Sequence, residues 1–266
     1  QDWRLIFVVG EHWKDSSIAQ TILNQRSDSE IIYTPYSPRG PIDTVLAAQQ
    51  LLRAEEPVCV SYSDYSMVWN ASDFALTMLL LSADAGIASY KGFHPTYLGP
   101  NTYCHLRVDE ETSQVIDIQE KTLFTKSLET EMTSAGLYYF KTADFMLKCL
   151  HEQLRQELKF GNEYYVSLAL KAMMNVCPQI KVQNYLIEQI LQLGTPADIE
   201  RFEYWRSVLL TNEANAYVGH ENNMNEAKNF VFKFIPENKK PTCLTSGLYE
   251  KEKQYWRRLF QRGSFF

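Results

Sequence analysis

Apolar residues come in short blocks whose spacing alternates between two periods. "LIFVVG", Leu5 to Gly10, is near-continuously apolar and predicts a buried strand, and "DSSIAQTILNQ" after it carries helical spacing. "SEIIYT" predicts a second strand, which runs into the loop "PYSPRGP" with its three prolines and Gly40. Apolar residues at 42, 45, 46 and 52 predict a helix over Ile42 to Arg53. "PVCVSY" reads as a third strand, "DFALTMLLLSADA" as a helix and "GIASYKG" as a fourth strand. Such alternation, with strands apolar on both faces, is the pattern of a parallel sheet covered by helices on each side.

Beyond about residue 90 the pattern changes. "TYCHLRVDEETSQVIDIQEK" predicts a hairpin that turns around Asp109 to Ser113. "TSAGLYYF", Thr133 to Phe140, predicts another strand, and "TADFMLKCLHEQLRQELKF" a helix started by Thr142. "NEYYVSLALKAMM" predicts a helix and "KVQNYLI" a strand. In "GTPADIERFEYWRSVLL", Thr195 has the place of an N-cap and Pro196 that of a first helical residue. After about residue 212 the sequence is more polar, until "LYEKEKQYWRRLF" predicts an amphipathic helix. The organisation is thus an α/β domain over 1–211 and a C-terminal extension over 212–266.

Composition narrows the function. The 266 residues are 45% hydrophobic and 22% charged, ordinary for a globular protein with a core. A net charge of −6 offers no basic field to a nucleic-acid backbone, and Arg257-Arg258 is the only short basic run considered. Five scattered cysteines make no C-x-x-C pair, which argues against a zinc site or a disulfide framework and for a reducing, cytoplasmic compartment. Asn70-Ala71-Ser72 fits the glycosylation pattern, but nothing else reads as secreted. No apolar run is long enough to span a bilayer. The five histidines share no spacing that suggests chemistry.

Candidate chemistry starts at "SDY", where an apolar strand delivers Asp64 to its carboxyl end. In open α/β sheets that edge is where ligands bind. Taken alone, Asp64 reads as a metal ligand or as a helix cap or turn residue. Glu120-Lys121 reads as a functional pair or a solvated strand end, Gly136 as a packing glycine, and Asn162-Glu163 as a helix start.

The order "SDY", "EK" at Glu120-Lys121, "TSAGLYYF", "GNEYYV" and "LQLGTPADIERF" resembles the sugar-nucleotide nucleotidyltransferase family, most nearly its capsule and surface-polysaccharide branch. The resemblance runs from about Leu5 to Trp205. It implies a three-layer αβα, Rossmann-like mixed sheet of the nucleotide-diphospho-sugar transferase type. It also implies nucleotidyl transfer from an NTP to a sugar 1-phosphate or similar small phosphate, with release of pyrophosphate. Asp64 would then bind Mg²⁺ on phosphate oxygens. The segment "PRGPIDT", with Gly40 and Thr44, would lie beside the nucleotide base. Glu120 would accept hydrogen bonds from sugar hydroxyls, Lys121 would stand near a phosphate, Gly136 would leave room for the sugar ring, and Asn162 and Glu163 would touch its hydroxyls.

Two departures from the family pattern stand out. No glycine-rich loop of the G-x-G-x-R type is present, and the chain starts where the family's second strand is expected. The expectation is that the first strand and its loop precede Gln1 in the natural protein. The position of a second metal-binding aspartate, two residues before the glycine of G-T-P, holds Gln192. The rival expectation is an inactive relative that acts as a scaffold or regulatory subunit. The extension, with Trp256, Phe260, Phe265 and Phe266, would be a surface for a second copy or another chain. A third, a glycosyltransferase with a D-x-D-like motif, lacks its second acid in Ser63-Asp64-Tyr65-Ser66.

Overall fold

The structure, a computed structural model, describes residues 3–98, 101–210 and 254. The expected extension over 212–266 and its helix therefore lie outside the described residues, apart from that single position.

Among the described residues, ten strands and six α-helices follow one another. β1 (Ile6–Gly10), α1 (Ile18–Gln25) and β2 (Glu30–Thr34) come first, then α2 (Pro41–Ala47) and β3 (Val58–Ser61). β4 (Tyr65–Val68), α3 (Ala71–Leu80) and β5 (Ala85–Tyr90) follow. β6 (Cys104–Val108) and β7 (Val115–Glu120) form the expected hairpin, and β8 (Met132–Phe140) comes after it. α4 (Ala143–Arg155), α5 (Val166–Val176), β9 (Val182–Leu186), β10 (Gln189–Gln192) and α6 (Pro196–Leu210) complete the domain.

The main sheet has the order β7-β6-β8-β5-β9, with β3 also paired to β8. β5 and β9 are parallel, whereas β8 runs antiparallel to β3, β5 and β6. Alternate residues of these strands feed two cores. Ile87, Tyr138, Phe140 and Val182 pack with Ile42 of α2, Met146 and Leu150 of α4, and Leu170 of α5. Ala88, Tyr90, Ala135 and Leu137 pack with Phe74 and Met78 of α3. Helices thus lie on both faces, and the expected three-layer αβα architecture with a mixed sheet is present.

The structure corrects the idea of one continuous parallel sheet. β1 and β2 pair in parallel as a sheet of their own, and β10 pairs with β4 as another. β8 enters antiparallel between β3 and β5, a long-range pairing that local periodicity does not reveal. The short strands β4 and β10 were not anticipated either. The helix expected over Ile42 to Arg53 stops at Ala47, where i→i+3 bonds tighten the chain into a 3₁₀ turn at Gln49–Leu51. The helix starts expected at Thr142 and Thr195 are present. Thr142 accepts from the Phe145 amide at 3.1 Å, and the Thr195 hydroxyl accepts from the Asp198 amide at 3.2 Å.

Candidate functional site

The site is assembled from the carboxyl end of β3, a bulge in β8, the end of β7 and two loops bonded to each other. The bulge is the central feature. Ser134 and Tyr138 of β8 stand opposite Ser89 and Ile87 of β5, so β8 spends four steps where β5 spends two. Gly136 takes up the excess at φ +88°, a conformation that side chains rarely adopt. Its amide donates to the Ser134 hydroxyl, and its carbonyl accepts from the Tyr62 amide at 3.1 Å. A methyl group at Gly136 would meet Tyr65 at 3.0 Å and Tyr62 at 3.2 Å. Gly136 thus leaves room for two tyrosine rings that flank Asp64.

Asp64 itself is not a helix cap. The chain passes from it into β4, and α3 is capped by Asn70, whose side chain accepts from the Asp73 amide. The Asp64 carbonyl accepts from the Leu193 amide, and Gly194 packs so close that an added methyl group would come within 2.8 Å of the carboxylate. Partial burial and the neighbouring Asp198 carboxylate push the Asp64 carboxyl above its usual value. Asp198 belongs to a capping box, taking bonds from the Thr195 amide and hydroxyl. Gln192 stands opposite Tyr65 in the ladder between β10 and β4. The described residues hold no group of three or more His, Cys, Asp or Glu that could bind a metal. A pair of carboxylates nevertheless suits Mg²⁺, which keeps several waters and takes its other ligands from phosphate.

The polar residues at the end of β7 and the start of α5 form a second connected set. Glu120, buried at the end of β7, accepts a 2.6 Å bond from Ser167 of α5. Burial pushes its carboxyl up to about 7, against the opposing pull of the Ser167 bond and the Lys121 charge. Tyr62 lies near enough for the Glu120 charge to help raise its phenol, after the larger effect of burial. Lys121 follows at φ +54° and donates from Nζ to the Tyr165 hydroxyl at 2.5 Å. Tyr165 donates in turn to the Glu163 carboxylate. Glu163 meets Gly40, where a methyl group would approach its Cβ to 3.0 Å.

The two loops are joined by main-chain bonds. The Tyr164 amide donates to Arg39 and the Ile42 amide to Tyr164. Gly161, at φ +58°, turns the chain so that these bonds form, and this is why Asn162-Glu163 is not a helix start: α5 begins only at Val166. Gly40, Glu120, Lys121, Gly136 and Glu163 are therefore brought together. Thr44 is exposed on α2 and Asn162 is exposed in its turn, and among the described residues neither bonds to the other candidate residues through its side chain. Tyr165, Ser167 and Asp198 were missed in the sequence. "YYVS" reads as the apolar entry to a helix, and Asp198 as a first-turn acid.

No family model matches this chain, and no curated protein matches it in sequence. Solved structures do match it in shape. A nucleoside-diphosphate-sugar pyrophosphorylase from Vibrio cholerae RC9 superposes with a TM-score of 0.58 at 16% identity, over 75% of this chain and 80% of that one. A Bacillus anthracis protein assigned as a glucose-1-phosphate thymidylyltransferase, in complex with sucrose, gives 0.53 at 11% identity, over 74% and 73%. The chain has the nucleotidyltransferase-like α/β fold of these proteins. Among the described residues no helix is long and apolar enough to cross a membrane.

Proposed function

We propose that the protein is a Mg²⁺-dependent nucleotidyltransferase that joins the nucleotidyl group of an NTP to a sugar 1-phosphate, of the kind used for surface polysaccharides. The observation that carries this is the set of charged groups at the strand ends: Asp64 with the Asp198 carboxylate near enough to raise it, and Lys121 joined through Tyr165 to Glu163 beside Glu120. A phosphate oxygen of the acceptor attacks the α-phosphorus, and the bond to pyrophosphate breaks. The nucleophile is already an anion, so no general base is needed, and positioning and charge neutralisation carry the rate. Bound at Asp64 and Asp198, Mg²⁺ would offset negative charge on the phosphates. Lys121 meets the acceptor phosphate. Glu120 and Glu163 take its sugar hydroxyls, and Gly40, Thr44 and Asn162 line the edge.

Thermal unfolding of the native full-length protein against each NTP, with and without Mg²⁺, tests the proposal. At 100 times its Kd a ligand adds about 2.7 kcal/mol of stability, a shift of several degrees for a domain of this size. One NTP should give a Mg²⁺-dependent shift that Asp64→Asn abolishes. No shift with any nucleotide would favour the inactive scaffold instead.

A further inference from the structure

The ammonium of Lys121 is held in an unusually complete way for a surface lysine. Its Nζ donates to the Tyr165 hydroxyl at 2.5 Å and lies 4.5 Å from the centre of the same ring. The Phe160 ring stands 5.6 Å away on the loop that leads to Tyr165. Tyr165 is only partly buried, and its hydroxyl is spent on two of the charged groups of the site: it accepts from Lys121 and donates to Glu163. Burial and the Glu163 carboxylate both push the phenol up, so it stays protonated and able to donate at neutral pH.

A lysine side chain is a flexible stem with a point charge, and fixing it on binding a ligand costs rotamer entropy. Here that freedom is removed during folding. The backbone contributes as well: Lys121 is in the left-handed region, and its amide donates to the Tyr103 carbonyl, which sets the direction in which the stem leaves β7.

We propose that Tyr165 is the positioning residue of Lys121. Its ring carries the ammonium, and its hydroxyl, anchored on Glu163, fixes where the cation stands for an incoming phosphate. The tie also joins the group that meets the phosphate to the group that meets a hydroxyl, so the site favours acceptors that present both. The role in catalysis rests on the nucleotidyl-transfer reading; the clamp itself does not.

The decisive variant is Tyr165→Phe, which keeps the ring contact and removes the hydroxyl. In protein labelled with ¹⁵N-lysine, the hydrogen-bonded Lys121 ammonium should give a protected signal, identified by its loss in Lys121→Arg. That signal should disappear in Tyr165→Phe and persist in Tyr164→Phe. In turnover, Tyr165→Phe should raise the acceptor KM about tenfold, the scale of one hydrogen bond to a charged group, while the NTP KM stays put. Adding Tyr165→Phe to Lys121→Met should cost much less than Tyr165→Phe does alone, because Lys121→Met already removes the cation that Tyr165 positions. A signal that survives Tyr165→Phe, or an unchanged acceptor KM, overturns the clamp. A lost signal in a protein that turns over no NTP and sugar phosphate pair upholds the clamp and sinks the nucleotidyl-transfer reading instead.

Discussion

β1 and β5 carry the same kind of sequence and meet different fates. "IFVVG" and "AGIASY" are both short, apolar and without charge, yet every residue of β5 is buried and none of β1 is. The difference lies in their neighbours. β5 is flanked by β8 and β9 and covered by helices on both faces. Among the described residues β1 pairs with β2 alone, and β3, which pairs only with β8, is likewise only partly buried. An apolar run records what a strand is able to bury, and the sheet decides how much of it is buried.

The largest effect that could break this comparison is a pair of truncations. Ile87→Ala, at a fully buried position of β5, should destabilise by about 4 kcal/mol through lost transfer energy and a cavity. Val8→Ala in β1 should cost about 1 kcal/mol, since half-exposed apolar area returns little on burial. Urea midpoints measure both, and equal losses would mean that β1 is as well covered as β5.

Next is the charge held inside the covered half. Glu120 has its folded value raised to about 7 from 4.5, so the folded state binds the extra proton. Its contribution is therefore full below about pH 4.5 and is lost as the pH rises through 7. That is worth roughly 3 kcal/mol at pH 8. Glu120→Gln should flatten the decline between pH 4.5 and 7 and be the more stable protein at pH 8. Parallel stability profiles for the two would show that the carboxyl is not buried in solution.

Gly136 marks the seam where β8 passes from β6, paired up to Thr133, to β3, paired from Leu137. Gly136→Ala should destabilise by about 2 kcal/mol, because it combines strain at positive φ with the crowding of Tyr65 and Tyr62. A lower urea midpoint would reveal the loss. The smallest effect belongs to Thr142, the cap of α4. Thr142→Ala should cost about 1 kcal/mol, visible as a lower thermal midpoint with the site left intact.

Much of this was legible in the chain. The helical period marked α1, α3, α4 and α5, and the caps at Thr142 and Thr195 appear where hydroxyls precede apolar spacing, because those bonds close within three residues. Asp64, Glu120-Lys121 and Gly136 could be singled out in advance as strand ends and an in-strand glycine. The bulge that surrounds Gly136, the short strands β4 and β10, and the bond from Tyr165 to Lys121 could not, since each joins residues far apart in sequence.

The sequence by itself determined the elements, their order and their caps, since hydrogen bonds and side-chain spacing within a few residues suffice for those. Only the tertiary structure decided which strands are covered, that β8 runs antiparallel beside β5, that burial raises the Glu120 carboxyl, and that Tyr165 holds Lys121. Those properties arise from burial and from contacts that exist only once distant segments have met.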